Sequence, residues 1–122
     1  MLKIEFSLAR NLHRNWRSKM RFFLNGEDSL TEEEAYSPEA CPFGKWLTSE
    51  GIPKYGNIPD MRKLERAHRR MHWLVKQNKK TRNSGVFFAA EKNFQKIEEL
   101  SQEILYLLNA VEKQASSKDS QT

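Results

Sequence analysis

Leu2, Phe6, Ala9, Trp16, Met20 and Leu24, with His13 filling the remaining step, recur at intervals of three and four. That period lies on one face of an α-helix and predicts a helix over residues 2–24. Ile4, Leu8 and Leu12 make a second apolar stripe on another side, the pattern of a helix that touches two neighbours, one of them a second copy of the chain. Gly26 suits the C-terminal cap, and a polar, acidic loop follows over residues 27–34. Ser37-Pro38-Glu39 then reads as a helix start, with Ser37 at the cap, Pro38 in the first turn and Glu39 at the positive end of the dipole. This short second helix holds Cys41 to Glu50 and stops at Gly51. Residues 51–58 read as a loop pinned to the core by Ile52, Tyr55 and Ile58.

Pro59 and Asp60 open a third helix whose inner stripe is Met61, Leu64, His68, Met71, His72 and Val75. Asn83-Ser84-Gly85 breaks it. A fourth helix is expected over residues 86–114. Phe87, Ala90, Phe94, Ile97, Ser101, Leu105 and Leu108 line one face of it, widened by Leu100, Ile104, Leu107 and Val111. The expected fold is therefore all-α: an antiparallel four-helix bundle of three long helices and one short helix that carries the cysteine. Residues 1–114 form its one domain, and the polar residues 115–122 read as a disordered tail. No internal repeat, sustained strand pattern or Gly-rich phosphate loop appears.

Length and composition fit this picture. A chain of 122 residues is long enough for one core without disulfides, and one cysteine makes no intramolecular disulfide. No apolar run has the length of a signal peptide or a membrane span, so a cytoplasmic protein with no membrane partner is expected. The net charge is +5 and the isoelectric point near 9.4. The cations concentrate on residues 62–82, including Arg62, Arg66, Arg69, Arg70 and Lys76. No nucleic-acid motif accompanies them, so a solvated helix face is the plainer reading and nucleic acid is not the expected partner.

Chemistry-bearing side chains are scarce. The chain has one cysteine, Cys41, and three histidines, His13, His68 and His72. Zinc takes four nitrogen, sulfur or oxygen ligands in a tetrahedron, a number that this set fills if all four residues meet. His68 and His72 stand four apart, one above the other on a helix face, within reach of a common metal. The pair alone is weak, since that spacing is common. His13 in an apolar stripe is equally a core histidine bonded to a carbonyl, and Cys41 equally a small buried hydrophobe. In the first turn of its helix, Cys41 meets backbone N–H groups that favour a thiolate, the metal-binding form. Gly44 leaves room for a close approach by another helix. Trp46 and Leu47 anchor the short helix, and Trp16 flanks His13.

Cys41-Pro42-Phe43-Gly44-Lys45-Trp46-Leu47 resembles the motif of the chemoreceptor zinc-binding (CZB) domain: a cysteine, an apolar residue, glycine, a variable residue and tryptophan. His13 within His13-Arg14-Asn15-Trp16, and the pair in His68-Arg69-Arg70-Met71-His72, match that family's upstream and downstream histidines in order and spacing. The resemblance covers the chain from the first helix to Val111. It implies a bundle holding one zinc ion through three histidines and one cysteine, with Trp16, Gly44 and Trp46 shaping the site. It also implies a cytoplasmic bacterial sensory module, often a homodimer, joined to a chemoreceptor or to a cyclic-dinucleotide signalling protein. No output domain follows the fourth helix, so the chain reads as a stand-alone member or an excised domain.

Occupancy of the metal, or oxidation of Cys41, is the expected signal. A set of four protein ligands suits a structural or sensing site rather than an enzyme. Rival readings are thin. A three-histidine hydrolytic site lacks a placed general base. Glu65 lies one turn before His68, where it either orients that imidazole or pairs with Arg69. Glu65-x-x-His68 occurs once, whereas a di-iron bundle needs the motif twice. The remaining alternative is an interaction protein that uses the basic face and keeps a purely structural zinc.

Overall fold

The computed structural model describes residues 2–120, and the side chains through residue 117. All regular structure among them is helical: α1 (Leu2–Leu24), α2 (Glu32–Tyr36), α3 (Pro42–Trp46), a π-helical turn (Leu47–Gly51), α4 (Ile52–Tyr55), α5 (Pro59–Asn83) and α6 (Phe87–Ser120). The stripes read from the sequence are the buried ones. Phe6, Ala9, His13, Trp16, Met20 and Leu24 face inward from α1, and Met61, Leu64, His68, Met71, His72 and Val75 from α5. Ala90, Ile97, Ser101, Ile104, Leu108 and Val111 do so from α6. No helix among the described residues is long and apolar enough to cross a membrane.

The turns that end α1 and α5 rest on glycines with positive φ. At Gly26 (φ 97°) and Gly85 (φ 82°), the two N–H groups past the helix reach back to its last carbonyls: Gly26 to Phe23 and Glu27 to Phe22, Gly85 to Arg82 and Val86 to Thr81. This is the paired capping that a left-handed residue permits. Beside the second turn, the buried Asn78 amide donates to the Ala90 carbonyl at 2.8 Å and ties α5 to α6.

Polar ladders fix the directions. Arg10 meets Glu112, Arg17 meets Glu98 and Arg21 meets Glu91, so α6 runs antiparallel to α1. α5 and α6 form a hairpin, whereas α1 and α5 run the same way, with Trp16 against His72 and the Phe23 carbonyl accepting from Lys79. The all-α expectation therefore stands, but a regular antiparallel four-helix bundle does not describe the molecule.

Five local expectations are corrected. The acidic loop contains a fifth helix, α2, because Thr31 and Glu34 close a capping box. Ser37 ends that helix rather than starting the next. The short helical run begins at Pro42 and passes through Gly51 in a π turn to Tyr55, since Gly51 lies under the Trp46 ring with no space for a Cβ. Phe87, expected inside, is 63% exposed at the first residue of α6, where Ala90 rather than Phe87 faces α5. Helix continues from Ala115, which is buried, to Ser120 where a disordered tail was expected; Gln121 and Thr122 lie outside the described residues. Of the second stripe of α1, Ile4 and Leu8 face solvent, and Leu12 is partly buried against the core.

Candidate metal centre

The crossover between α1 and α5 brings a sulfur into the core. Pro42 occupies the first turn of α3, and Cys41 is its N-cap, with Sγ accepting the Gly44 N–H at 3.2 Å. A thiol here replaces the hydroxyl or carboxylate that usually satisfies this donor. The close approach of the preceding chain depends on Gly44. A Cβ there would sit 1.6 Å from the Pro38 carbonyl oxygen and 3.2 Å from His68 Cε1.

From α5, one turn apart, His68 and His72 point at the same spot. Cys41 Sγ lies 3.4 Å from His68 Nε2, and His68 Nε2 lies 3.1 Å from His72 Nε2. One ligand atom from each of the three residues falls within 4.8 Å of the others, and all three side chains are buried. The edges of a zinc tetrahedron built from ordinary Zn–N and Zn–S bonds are about 3.3–3.6 Å, so these atoms already stand close to ligating separations.

The protonation pattern follows from the partners. His72 Nδ1 donates to the Ala35 carbonyl at 2.8 Å, which leaves Nε2 with its lone pair toward the cluster. Two bare lone pairs would repel at 3.1 Å, so in the metal-free protein His68 Nε2–H faces them. The Cys41 thiol points to the Pro38 carbonyl at 3.6 Å. Around this core, Trp16 tilts over His72 at 4.8 Å between ring centres and donates its indole N–H to Glu34 O. Phe43 sits edge-on between His13 and His68, and Trp46 stacks outside Phe43.

His13 is buried beside these groups but stands outside the three-residue cluster. Its Nε2 is held 2.7 Å from Ser101 Oγ. Glu65 bonds Arg62 and reaches Arg69 rather than a ring nitrogen. The surface-pair alternative thus describes its contacts, although it lines a cleft together with His68.

Burial dominates the electrostatics. It pushes His13 and His72 down to about 4, with Arg17 adding to the effect at His13 and the Ala35 carbonyl only partly opposing it at His72. His68 falls well below its ordinary value for the same reason. Burial also drives the Cys41 thiol up to about 11, against the N–H bonds from Gly44 and Phe43. The backbone N–H groups at the helix end do favour the thiolate, as expected, but in the metal-free protein desolvation outweighs them.

A pH dependence follows. Between about 6.5 and 4 the unfolded chain binds protons on its histidines that the folded chain refuses, so stability falls as pH falls through that window. Above about 9 the unfolded thiol ionises while the folded one does not, and stability falls again. Urea midpoints of metal-free protein should decline on acidification from pH 7 to 5, approaching about 1.4 kcal/mol per pH unit for each histidine kept neutral. A flat profile would show that the rings are solvated.

Sequence reasoning did not find the Ala35 carbonyl, the Phe43 wedge or the part Ser101 plays. The Thr31-x-x-Glu34 capping box was a readable signal for the helix that carries Ala35.

A family model described as "Chemoreceptor zinc-binding domain" matches residues 13–79, more than half of the chain. Neither a curated protein nor a solved structure matches.

Proposed function

Because this chain belongs to the chemoreceptor zinc-binding domain family, we propose that it is a zinc-responsive regulatory module, with His13, Cys41, His68 and His72 holding one zinc ion. The observation that carries this reading is the convergence of Cys41 Sγ, His68 Nε2 and His72 Nε2 in a buried pocket, with the His72 tautomer already set for ligation. Sulfur and imidazole donors in that number suit zinc over the harder divalent cations. Zinc, when bound, supplies a closed tetrahedral clamp with no open position for substrate, so we assign the module no enzymatic activity.

The residues divide the work. Ala35 fixes the orientation of His72. Loading takes the proton from the Cys41 thiol and requires the His68 ring proton to sit on Nδ1 rather than Nε2, so loading is disfavoured at acid pH. Gly44 keeps its N–H on the sulfur and holds α3 against the site. Because Cys41 joins the crossover to α5, metal occupancy or oxidation of its sulfur changes how tightly α3 and the π turn are held. We place the signal there, read by a second copy of the chain or by a downstream signalling protein in the cytoplasm.

Cobalt titration tests the ligand set. Wild-type protein should bind one cobalt ion per chain with an intense sulfur-to-metal band that Cys41→Ala lacks. A wild-type spectrum without that band would remove the thiolate, and the proposed site with it.

A further inference from the structure

Ser101 is the one fully buried polar side chain on α6 among the described residues. Its oxygen lies on the only ring nitrogen of His13 that has a side-chain partner here, at 2.7 Å. The residue lies beyond residue 79, where the family match ends. Elsewhere along this pair of helices, α1 and α6 are joined by peripheral ion pairs, Arg17 with Glu98 on one side of the contact and Arg10 with Glu112 on the other. The Ser101 bond is the polar link inside the core.

Three ligand atoms are already gathered, and His13 stands apart from them. Its ring is confined by Trp16, stacked at 6.2 Å, and by Phe43, edge-on at 5.5 Å. Bringing Nε2 into the cluster therefore requires a ring movement that breaks the contact with Ser101. We propose that Ser101 is a latch that holds His13 off the cluster, so that filling the fourth ligand position exchanges the internal α1–α6 hydrogen bond for a metal bond and passes occupancy to α6. This inference rests on the reading of His13 as the fourth ligand. It extends that reading to α6, the longest helix among the described residues, which contributes no ligand of its own.

A latch and an orienting group make opposite predictions. An orienting partner keeps its bond in the loaded state, and its loss weakens binding. A latch competes with the metal, and its loss strengthens binding. Zinc affinity is measured by chelator competition at constant pH on wild type, Ser101→Ala, Ser101→Thr, His13→Ala and the His13→Ala/Ser101→Ala double variant. Ser101→Ala should bind zinc about fivefold tighter, the loss of one ordinary hydrogen bond from the metal-free state. Ser101→Thr, which keeps the hydroxyl, should return to the wild-type value, and Ser101→Ala should have no effect once His13 is gone.

Wild type alone supplies a second readout that does not depend on a variant folding. Zinc loading should shift the His13 Nε2 nitrogen resonance and speed amide exchange around residue 101. Unchanged or weakened affinity in Ser101→Ala, or α6 exchange indifferent to zinc, overturns the latch while leaving the metal site intact. His13→Ala binding zinc as tightly as wild type overturns both the latch and the four-ligand reading.

Discussion

Gly44→Ala is expected to be among the most damaging single substitutions in this protein, removing about 4 kcal/mol or more of stability and with it high-affinity metal binding. The added methyl would lie 1.6 Å from the Pro38 oxygen and 2.8 Å from the Pro38 carbonyl carbon. Both are backbone atoms, so no rotamer change relieves the overlap, in contrast to a clash with the end of a flexible side chain. The crossover must move instead, and Cys41 Sγ, held by the Gly44 N–H, moves with it. Overpacking in a dense core typically costs about 1–3 kcal/mol, and larger losses accompany backbone displacement combined with a broken cap. Urea denaturation of the metal-free variant measures the first effect and chelator competition the second. A variant with wild-type stability would mean that the residue 38–44 turn opens freely, against the geometry described above.

His72→Ala is expected to lower zinc affinity by about a hundred- to a thousandfold. Structural zinc sites with four ligands are worth roughly 10–16 kcal/mol, or about 2.5–4 kcal/mol for each ligand, which is close to that factor. The substitution also leaves the Ala35 carbonyl without its donor and opens a space under Trp16, whose ring lies 4.8 Å from the imidazole. Metal-free stability near neutral pH should therefore fall by roughly 2–4 kcal/mol. Acid sensitivity should move the other way, since one of the rings that resists protonation is gone. Opposite changes in neutral stability and acid slope distinguish loss of this particular ring from general loosening. Wild-type zinc affinity in His72→Ala would remove His72 from the ligand set.

Much of the site was legible because its residue types are rare and its helices long. His68 and His72 share a turn within an apolar stripe, so any packing that buries Met71 and Val75 also brings both rings inside. Cys41 was placed at a helix start, and it is one, although Pro42 rather than Pro38 opens the helix. The error arose because Ser-Pro-Glu carries the local marks of a start, while Thr31 and Glu34 had already capped a helix that consumed Ser37 as its end. Local rules compete for the same residues, and packing decides between them. The thiol stays protonated in the metal-free protein for a similar reason: the burial around the helix end outweighs its N–H groups.

By itself the chain determined where the long helices lie, which face of each is buried, and which four side chains are the candidate zinc ligands, because periodicity and residue type are local properties. Tertiary structure decided which way those helices run, that α2 lends a carbonyl to His72, and that α6 engages His13 through Ser101. It also decided that desolvation outweighs the helix end at Cys41. Each of these depends on groups 30 or more residues apart in sequence, or on the exclusion of water by the whole core, and no local pattern encodes such distances.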